Sequence, residues 1–279
     1  MKIIVSHFNP DLDSAFAIWL VRRFLPGWKK AELKFVPAGE TWENKPPDDN
    51  SEILHLDTGL GRFDHHQSDE DTCASILIWE EILLQSEKIK DWQKKAVERI
   101  LKIVNEVDHA RFLAWPEPES DNWDFHLYQI LGGLVGNFKD RPEKAIEMTL
   151  PVIDGLFRVF GEKVEAEEVI KNGLEFKTKW GKGIGFMTEN AEVQYLALKK
   201  GFSLVVKKRP KSGHLGLYGS WQKGVNLEQV FEKLTKKDPK ADWFLHASGC
   251  LVLNGSRSNS KMKPTNLDLE TVIKLLPKR

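Results

Sequence analysis

The chain has 279 residues, no formal net charge and 41% hydrophobic residues, which is typical of a globular protein. Its two cysteines lie far apart and belong to no Cys-x-x-Cys pair, which argues against a disulfide framework and favours a reducing compartment. The apolar run after Met1-Lys2 is too short for a signal-peptide core, and no apolar stretch approaches the ~18 residues that span a bilayer. We therefore expect a cytoplasmic protein, and the length favours two domains over one.

The predicted elements of the first 160 residues alternate between short strands and helices. Apolar runs predict strands at 2–6, 33–36 and 52–56. Apolar residues at helical spacing predict helices at 15–24, 74–84, 92–112, 124–134 and 143–160. Asp13 or Ser14 is the predicted cap of the first helix, and Pro151 is expected to kink or break the last. This order predicts an α/β domain over residues 1–160, built on a Rossmann-like parallel sheet.

The pattern changes after this domain. Residues 165–179 are polar with a sparse apolar stripe, which predicts a helical connector over residues 161–182. Beyond it, short strands are predicted at 185–187, 203–207, 215–218 and 244–252, and short helices at 191–198, 227–234 and 267–275. Asn226 and Thr265 are predicted N-caps, and Asp268 would complete a capping box with Thr265. We predict a smaller α+β domain over residues 183–279.

Two groups of metal-binding residue types follow two of the predicted strands. The first comprises His7, Asp11 and Asp13, and the second comprises Asp57, Asp64, His65 and His66. Because ligands bind at the carboxyl ends of neighbouring parallel strands, both groups are expected to face one crevice. Seven carboxylates and imidazoles there repel one another, or stay poorly solvated, unless a cation joins them. Asp and His without a thiolate suit Mn²⁺, Mg²⁺ or Fe²⁺ better than structural zinc.

These residues resemble the motifs of the DHH phosphoesterase superfamily. The first motif of that superfamily, His-x-Asn-Pro-Asp-x-Asp-Ser, is matched from His7 to Ser14. A metal-bridging Asp after a later strand is matched by Asp57, and the name-giving Asp-His-His by residues 64–66. A further Asp on a helix is best matched by Asp108. Three motifs in this order make the resemblance specific.

The resemblance implies two divalent ions, with Mn²⁺ expected and Mg²⁺, Fe²⁺ or Co²⁺ as alternatives. It assigns His7 and Asp11 to one ion, His65, Asp13 and Asp108 to the other, and Asp57 as the bridge between them. Two ions about 3.5–4 Å apart can clamp a phosphate and lower the pKa of a bridging water. Asp64 and His66 are the expected catalytic residues. Asp64 would orient a ligating histidine, and His66 would face the phosphate as a donor or acid.

Several of these residues also have simpler explanations. Asp13 can merely cap a helix, and the histidine pair alone would more often lie on the surface. The competing explanations at Asp108 are that its neighbour His109 is the ligand, or that Asp108 forms an ion pair with Arg111. His55 lies on the same strand face as the second group, and buried packing is expected there rather than a role in the site.

The charge is unevenly distributed along the chain. Residues 199–279 hold 17 Lys and Arg against 6 Asp and Glu, a balance of +11, so residues 1–198 carry −11. An acidic metal-binding half beside a basic half suits a polyanionic substrate. A solvated, lysine-rich surface explains the same balance equally well.

The basic half contains the expected substrate contacts. Residues 244–249 are similar to a segment of the MYG-type exoribonucleases, a branch of the DHH superfamily, although the glycine pair that follows in that branch is missing here. Phosphate contacts are expected at His246, Arg257, Lys208 and Arg209. Base stacking is expected at Trp221 or Trp243, with core packing as the simpler explanation.

Together these patterns predict a metal-dependent phosphoesterase. The expected reaction is hydrolysis of phosphodiester bonds in short or single-stranded nucleic acid, as an exonuclease or oligonucleotide phosphodiesterase. A phosphoanhydride hydrolase acting on pyrophosphate or polyphosphate is the alternative reaction. A different class is a DHH-type protein that binds nucleotide or nucleic acid without hydrolysis. No membrane partner is expected, and the sequence leaves the oligomeric state and the cleavage polarity open.

Overall fold

The computed structural model describes residues 1–256 and 259–278. The chain divides into two compact units, Met1–Gly161 and Glu162–Arg279, and each unit contains its own sheet. Both units combine helices with strands, which confirms the predicted α/β class. Among the helices of the described residues, none is both long enough and apolar enough to cross a bilayer.

Three short strands form the sheet of the N-terminal unit. They are β1 (Ile3–His7), β2 (Glu32–Val36) and β3 (Ile53–His55). All pair in parallel, and the order β2-β1-β3 places β1 in the centre. The apolar runs form strands here because their side chains, such as Ile4 and Leu54, are buried. The carboxyl ends of β1 and β3 therefore lie side by side, and the predicted ligand groups begin there.

Five α-helices belong to the N-terminal unit, and the last of them extends past its boundary at Gly161. They are α1 (Leu12–Phe24), α2 (Ala74–Gln85), α3 (Asp91–Asp108), α4 (Leu127–Asn137) and α5 (Pro142–Lys171). α1 is buried from Leu12 to Val21 and packs against α2, α3 and α4. The indole Nε1 of Trp19 on α1 donates to a carboxylate oxygen of Asp154 on α5 at 2.9 Å. α1 is thus the central helix of the unit.

Two helices of this unit differ from their predicted bounds. α3 ends at Asp108 and not at residue 112, because Ala110 adopts a left-handed conformation with a φ of 53°. Short 3-10 turns follow at Arg111–Ala114 and Asp121–Phe125, so α4 begins three residues later than predicted. As a result, Asp108 is the last residue of its helix.

No break occurs at Pro151, and the helix predicted for the connector ends at Lys171 rather than near residue 179. α5 runs without interruption from Pro142 to Lys171. A proline inside a helix costs about 3 kcal/mol. A continuous buried stripe offsets that cost, and its members are Ile146, Ile153, Phe157 and Val164. Residues after Gly173 form a strand instead, because apolar or β-branched side chains alternate there with charged ones. The predicted connector over residues 161–182 therefore begins inside α5, contains all of β4 and ends inside β5.

The C-terminal unit contains a six-stranded sheet. Its strands are β4 (Leu174–Thr178), β5 (Gly181–Met187), β6 (Leu204–Lys208), β7 (Leu215–Gly219), β8 (Phe244–Leu245) and β9 (Leu251–Asn254). The order is β4-β5-β6-β7-β9-β8, and only β5 and β6 pair in parallel among these strands. The strand predicted at 244–252 is thus a hairpin, whose turn places Gly249 at a φ of 69°.

Three short α-helices lie among the described residues after β5. They are α6 (Val193–Lys199), α7 (Glu228–Lys237) and α8 (Leu269–Lys274). The predicted cap of α8 at Thr265 is wrong: Asp268 is the cap, and its carboxylate accepts from the backbone N–H of Thr271 at 2.7 Å. Thr265 instead donates its hydroxyl to Asp238 at 2.6 Å. Asn226 lies one residue before the cap position of α7, and its side chain accepts from the N–H of Glu228.

Candidate metal centre

The two turns that carry the candidate ligands have unusual backbone conformations. Asn9, after β1, and Asp57, after β3, have φ angles of 58° and 60°. Such left-handed conformations are uncommon for residues other than glycine, although Asn and Asp adopt them more readily than most. After the first turn, Asp11 caps α1 by accepting from the N–H of Ser14 at 3.0 Å. Ser14 completes the capping box, because its hydroxyl accepts from the backbone N–H of Asp11 at 2.9 Å, so the cap involves Ser14 as predicted but is centred on Asp11 and not on Asp13.

The structure brings the predicted ligands together in three overlapping groups. These groups are His7, Asp11 and Asp57; Asp13, His65 and Asp108; and Asp57, His65 and His66. Within each group the potential ligand atoms lie within 4.8 Å of one another. Two residues, Asp57 and His65, belong to two groups each. A carboxylate shared in this way has two oxygens to offer to two cations.

Two buried atoms at this overlap have no hydrogen-bond partner within the described chain. They are Asp57 Oδ1 and His65 Nε2. The two atoms lie 3.6 Å apart, and His65 Nε2 lies 3.5 Å from Asp108 Oδ2, too far in each case for a good hydrogen bond. Buried polar atoms without partners are costly, and few are found in native proteins. A cation between them would satisfy both, so the residues present fit a divalent metal.

The electrostatics of the cluster also favour a cation. Burial, together with the charges of Asp57 and Asp11, raises the pKa of Asp13 to about 7. Burial would lower the pKa of His7, but the hydrogen bond at 3.1 Å and the charge of Asp57 raise it to about 9. The nearby carboxylate of Asp57, with further contributions from the charges of Asp108 and Asp13, raises the pKa of His65 to about 9 against the lowering effect of burial. These groups retain protons to balance the negative charge. A metal would take the place of those protons, so binding should release them.

Asp13 has a structural role in addition to its place in a ligand group. Its carboxylate accepts from the backbone N–H groups of Ala74, at 2.7 Å, and Ser75, at 2.9 Å, and from the hydroxyl of Ser75. These are donors at the N-terminus of α2. Asp13 therefore does cap a helix, but the helix begins about 60 residues later in the chain. This contact holds the carboxylate in place beside the candidate metal centre.

Asp64 and His66 are paired with each other. The carboxylate of Asp64 accepts from His66 Nδ1 at 2.7 Å and from the backbone N–H groups of Leu60 and His66. Asp64 was expected to orient a ligating histidine, and the histidine that it contacts is His66, a member of one of the three groups. With Nδ1 held by Asp64, Nε2 is the ring nitrogen of His66 that remains for another partner. The side chain of His66 is 60% exposed, which suits contact with a substrate.

The competing explanations for Asp108 receive less support from the contacts. Arg111 pairs with Asp71 at 2.6 Å. His109 Nδ1 is 3.0 Å from the backbone oxygen of Asn105, and His109 belongs to none of the three groups found among the described residues. Asp108 itself belongs to one of them, at the end of α3.

His55 lies outside the centre. Its Nε2 accepts from the N–H of Trp42, and its Nδ1 lies 3.1 Å from the backbone oxygen of Pro47. Burial lowers its pKa, so the ring is neutral at pH 7. Both ring nitrogens thus hold the loop between β2 and β3, and the expected packing role agrees with these contacts.

The predicted substrate contacts lie in the C-terminal unit, and each has its own surroundings. The ammonium group of Lys208 donates a hydrogen bond to the backbone oxygen of Leu267 at 2.6 Å, so its charge already has a partner within the unit. Arg209 is half-buried after β6. His246 is exposed in the β8–β9 turn, where its Nδ1 is 2.9 Å from the Ser248 hydroxyl. Arg257 lies outside the described residues.

The two tryptophans predicted for base stacking differ in exposure. Trp221 is 76% exposed on a 3-10 turn, whereas Trp243 packs against the core of the C-terminal unit. The structure also places an aromatic residue beside the ligands that the sequence patterns did not single out. Tyr128 of α4 lines a cavity together with Asp11, Asp13 and Asp108. The sequence feature that could have indicated this surface is α4 itself, a strongly apolar helix with three glycines that follows the last candidate ligand.

Comparisons with known proteins add little to this geometry. No family model matches the sequence, and no curated protein is similar to it. One solved structure with some similarity is described as the DHH domain of a member of a family of ribosomal proteins. The identity is 10% and the TM-score 0.32, over 100% of this chain and 88% of that chain. Similarity at this level carries no argument about function.

Proposed function

We propose that this chain is a divalent-metal-dependent phosphoesterase of the DHH type. One observation carries the proposal. Asp57 Oδ1 and His65 Nε2 are buried without hydrogen-bond partners within the described chain, at the point where three potential ligand groups overlap. A pair of cations would satisfy both atoms and offset the repulsion among the carboxylates. His7, Asp11 and Asp57 would hold one cation, and Asp13, His65 and Asp108 would hold the other, with Asp57 shared.

Hydrolysis of a phosphate ester requires an activated water and a proton donor. Two bound cations would supply Lewis acidity and lower the pKa of a bound water. In the overall hydrolysis the attacking water loses a proton to solvent, its oxygen would form a bond to phosphorus, the P–O ester bond would break, and the departing oxygen would take up a proton. His66 is the proposed donor, because Asp64 holds its Nδ1 and leaves Nε2 for the substrate. Asp64 thus acts on the reaction through His66.

We infer that the substrate is short or single-stranded nucleic acid and that Mn²⁺ is the working metal. The basic balance of residues 199–279 supports a polyanionic substrate, and mixed His and Asp ligands support Mn²⁺ over Mg²⁺. The similarity of residues 244–249 to MYG-type exoribonucleases supports a nuclease. His246, Arg209 and Arg257 are the proposed phosphate contacts. Lys208 would have to leave the carbonyl oxygen that it now contacts.

A substrate panel tests this proposal. The full chain is loaded with Mn²⁺, passed through gel filtration and analysed for metal, and then incubated with a dinucleotide, a longer single strand, a cyclic dinucleotide, a bis-phosphonucleoside and pyrophosphate. We expect about two metal ions per chain and release of mononucleotides from the dinucleotide. Turnover of pyrophosphate alone would indicate a phosphoanhydride hydrolase. Nucleotide binding without turnover would indicate a non-hydrolytic protein, and a chain that retains no metal and cleaves nothing would contradict the proposal.

A further inference from the structure

We propose that the apolar cavity beside the candidate metal centre binds the base of a nucleotide whose phosphate lies at that centre. This inference rests on the proposed phosphoesterase function and assigns a base-binding subsite within the N-terminal unit. The subsite is expected to accept any base, because its lining offers stacking and apolar contact rather than a pattern of hydrogen bonds.

The cavity has a size and lining that suit a planar organic group. Its volume is about 420 Å³, within the range of small-molecule sites. Its side chains come from α1, α3, α4, α5 and the turn before α4, and they include Phe16, Phe125, Tyr128 and Phe160. Among the described residues that line it, His126 alone has an ionisable group that titrates near neutral pH. Burial lowers the pKa of His126, so its ring is neutral at pH 7.

A second cavity, which shares two lining residues with the apolar cavity, is lined by candidate ligands. Its volume is about 320 Å³, and it is lined by Asp11, Asp13 and Asp108. The two cavities share Leu12 and Tyr128 as lining residues. Leu12 also lies between two candidate ligands in the sequence, at the start of α1. A group bound in the apolar cavity is therefore next to a phosphate held at the carboxylates, as the base and phosphate of one nucleotide would be.

The position of Tyr128 is supported by a cluster of aromatic rings. Its ring centroid lies 5.2 Å from that of Phe112, with an angle of 31° between the planes, and 5.9 Å from that of His126. His126 in turn lies 5.1 Å from Trp115. Contacts of this kind favour a defined ring orientation. A tyrosine whose orientation is already restricted loses little further conformational entropy when a base stacks on it.

The rim of the cavity exposes apolar side chains that a ligand would cover. Phe125 is 85% exposed, and Ile130 and Val152 are 44% and 48% exposed. Contiguous exposed apolar surface on a globular protein commonly marks a binding site. A base offers an apolar face to such a surface, whereas pyrophosphate and polyphosphate offer only charge. The cavity therefore favours a nucleotide ester over an inorganic phosphoanhydride.

The test compares Phe125→Ala and Tyr128→Ala with the wild-type full chain, all loaded with Mn²⁺. The substrates are a dinucleotide, the same dinucleotide lacking one base, and pyrophosphate. Leu84→Ala is the matched control for Phe125→Ala, because Leu84 is an equally exposed apolar residue that does not line the cavity. Base stacking should make KM for the dinucleotide rise by about fivefold to 100-fold in the two cavity variants. KM for the abasic substrate and the metal content should not change.

Other outcomes separate this inference from the proposed function. If the wild type cleaves both dinucleotides with the same kcat/KM, the base-binding subsite is wrong and the phosphoesterase stands. If the wild type cleaves nothing, calorimetric titration with a mononucleotide and Mn²⁺ decides. Binding that Phe125→Ala weakens would support the subsite without hydrolysis, and no binding would overturn both proposals. If Phe125→Ala changes the sedimentation coefficient from dimer to monomer and leaves base discrimination intact, the surface joins two copies of the chain, and the inference is wrong.

Discussion

The two units of this protein differ in whether their buried polar side chains have hydrogen-bond partners. In the C-terminal unit, the side chain of Asn254 is buried, and it donates to two backbone oxygens and accepts from the N–H of Thr265. The buried ammonium of Lys207 contacts the backbone oxygen of Asn190 and the side-chain oxygen of Gln194. In the N-terminal unit, six buried side-chain atoms lack such partners within the described chain, and Asp57 Oδ1 and His65 Nε2 are the two that belong to potential ligand groups.

This difference distinguishes a structural polar network from a binding site. Buried polar groups that are fully hydrogen-bonded stabilise one folded arrangement and need no ligand. Buried polar groups that lack partners, and that cluster with like charges, raise the free energy of the protein until a ligand satisfies them. In the C-terminal unit, Trp243 Nε1 is the one buried side-chain atom without a partner among the described residues, and no carboxylate or imidazole atom there has this property.

The largest expected effect follows from neutralising the shared carboxylate. Asp57→Asn should reduce hydrolysis by at least about 100-fold, because clamping by two metals supplies several kcal/mol of transition-state stabilisation. Steady-state rates with Mn²⁺ and a dinucleotide measure this. Asp91→Asn is the control, since Asp91 is an exposed carboxylate at the start of α3 that belongs to no ligand group of the described chain. Near-normal turnover by the Asp57 variant would show that the buried atoms without partners in the N-terminal unit do not mark a catalytic metal centre.

The second effect concerns the satisfied network. Asn254→Ala should destabilise the chain by about 3 kcal/mol, because three hydrogen bonds of about 1 kcal/mol each are lost. Urea denaturation measures the free energy of unfolding, and Asn266→Ala provides an exposed asparagine in the same unit as a control. Metal content should stay at the wild-type level. A loss of metal in a fully folded Asn254 variant would show that this network also serves the metal centre.

A smaller effect decides between two neighbouring residues. Asp108→Ala should remove about half of the bound metal, because it belongs to only one of the two proposed cation sites. His109→Ala should leave the metal content unchanged, because its Nδ1 is close to a backbone oxygen and it belongs to no ligand group found among the described residues. Metal analysis after gel filtration measures both variants. The reverse pattern would transfer the ligand role to His109.

The smallest expected effect is a change in the titration of Asp238. A hydrogen bond from the Thr265 hydroxyl, with others from backbone N–H groups such as that of Asn266, holds the pKa of this carboxyl below its usual value, so their contribution to stability is present above the ordinary Asp pKa. It is lost as the pH falls through the lowered pKa of the folded state. Thr265→Ala should raise the pKa of Asp238 towards its usual value, as measured by NMR titration of the carboxyl carbon. An unchanged pKa would show that the Thr265 hydroxyl does not stabilise the ionised carboxylate of Asp238.

Local patterns predicted most of the elements but not several of their ends. The strands β1 to β3 and the helices α1 and α2 were predicted because their apolar periodicity is a property of a short stretch of chain. The prediction failed at α5, where buried contacts of Ile153 and Phe157 extend the helix past Pro151. It failed again at β4, where pairing with β5 stabilises a segment that is only weakly apolar. Both errors come from packing partners that a local window does not contain.

The sequence by itself placed the residues of the two groups from His7 to Asp13 and from Asp57 to His66 at the candidate centre, because they follow two apolar strands and the ends of parallel neighbours meet. Asp108, at the end of a helix, was matched only through the family resemblance. Only the tertiary structure decided how those residues are held. Asp13 accepts a hydrogen bond from a backbone N–H at the N-terminus of α2, and Asp64 contacts the imidazole of His66. The apolar cavity at Tyr128 is lined by four helices and one turn. Each of these arrangements joins segments through side-chain geometry or packing. Such contacts depend on the positions of whole elements, and those positions are set by the sum of many weak interactions across the core.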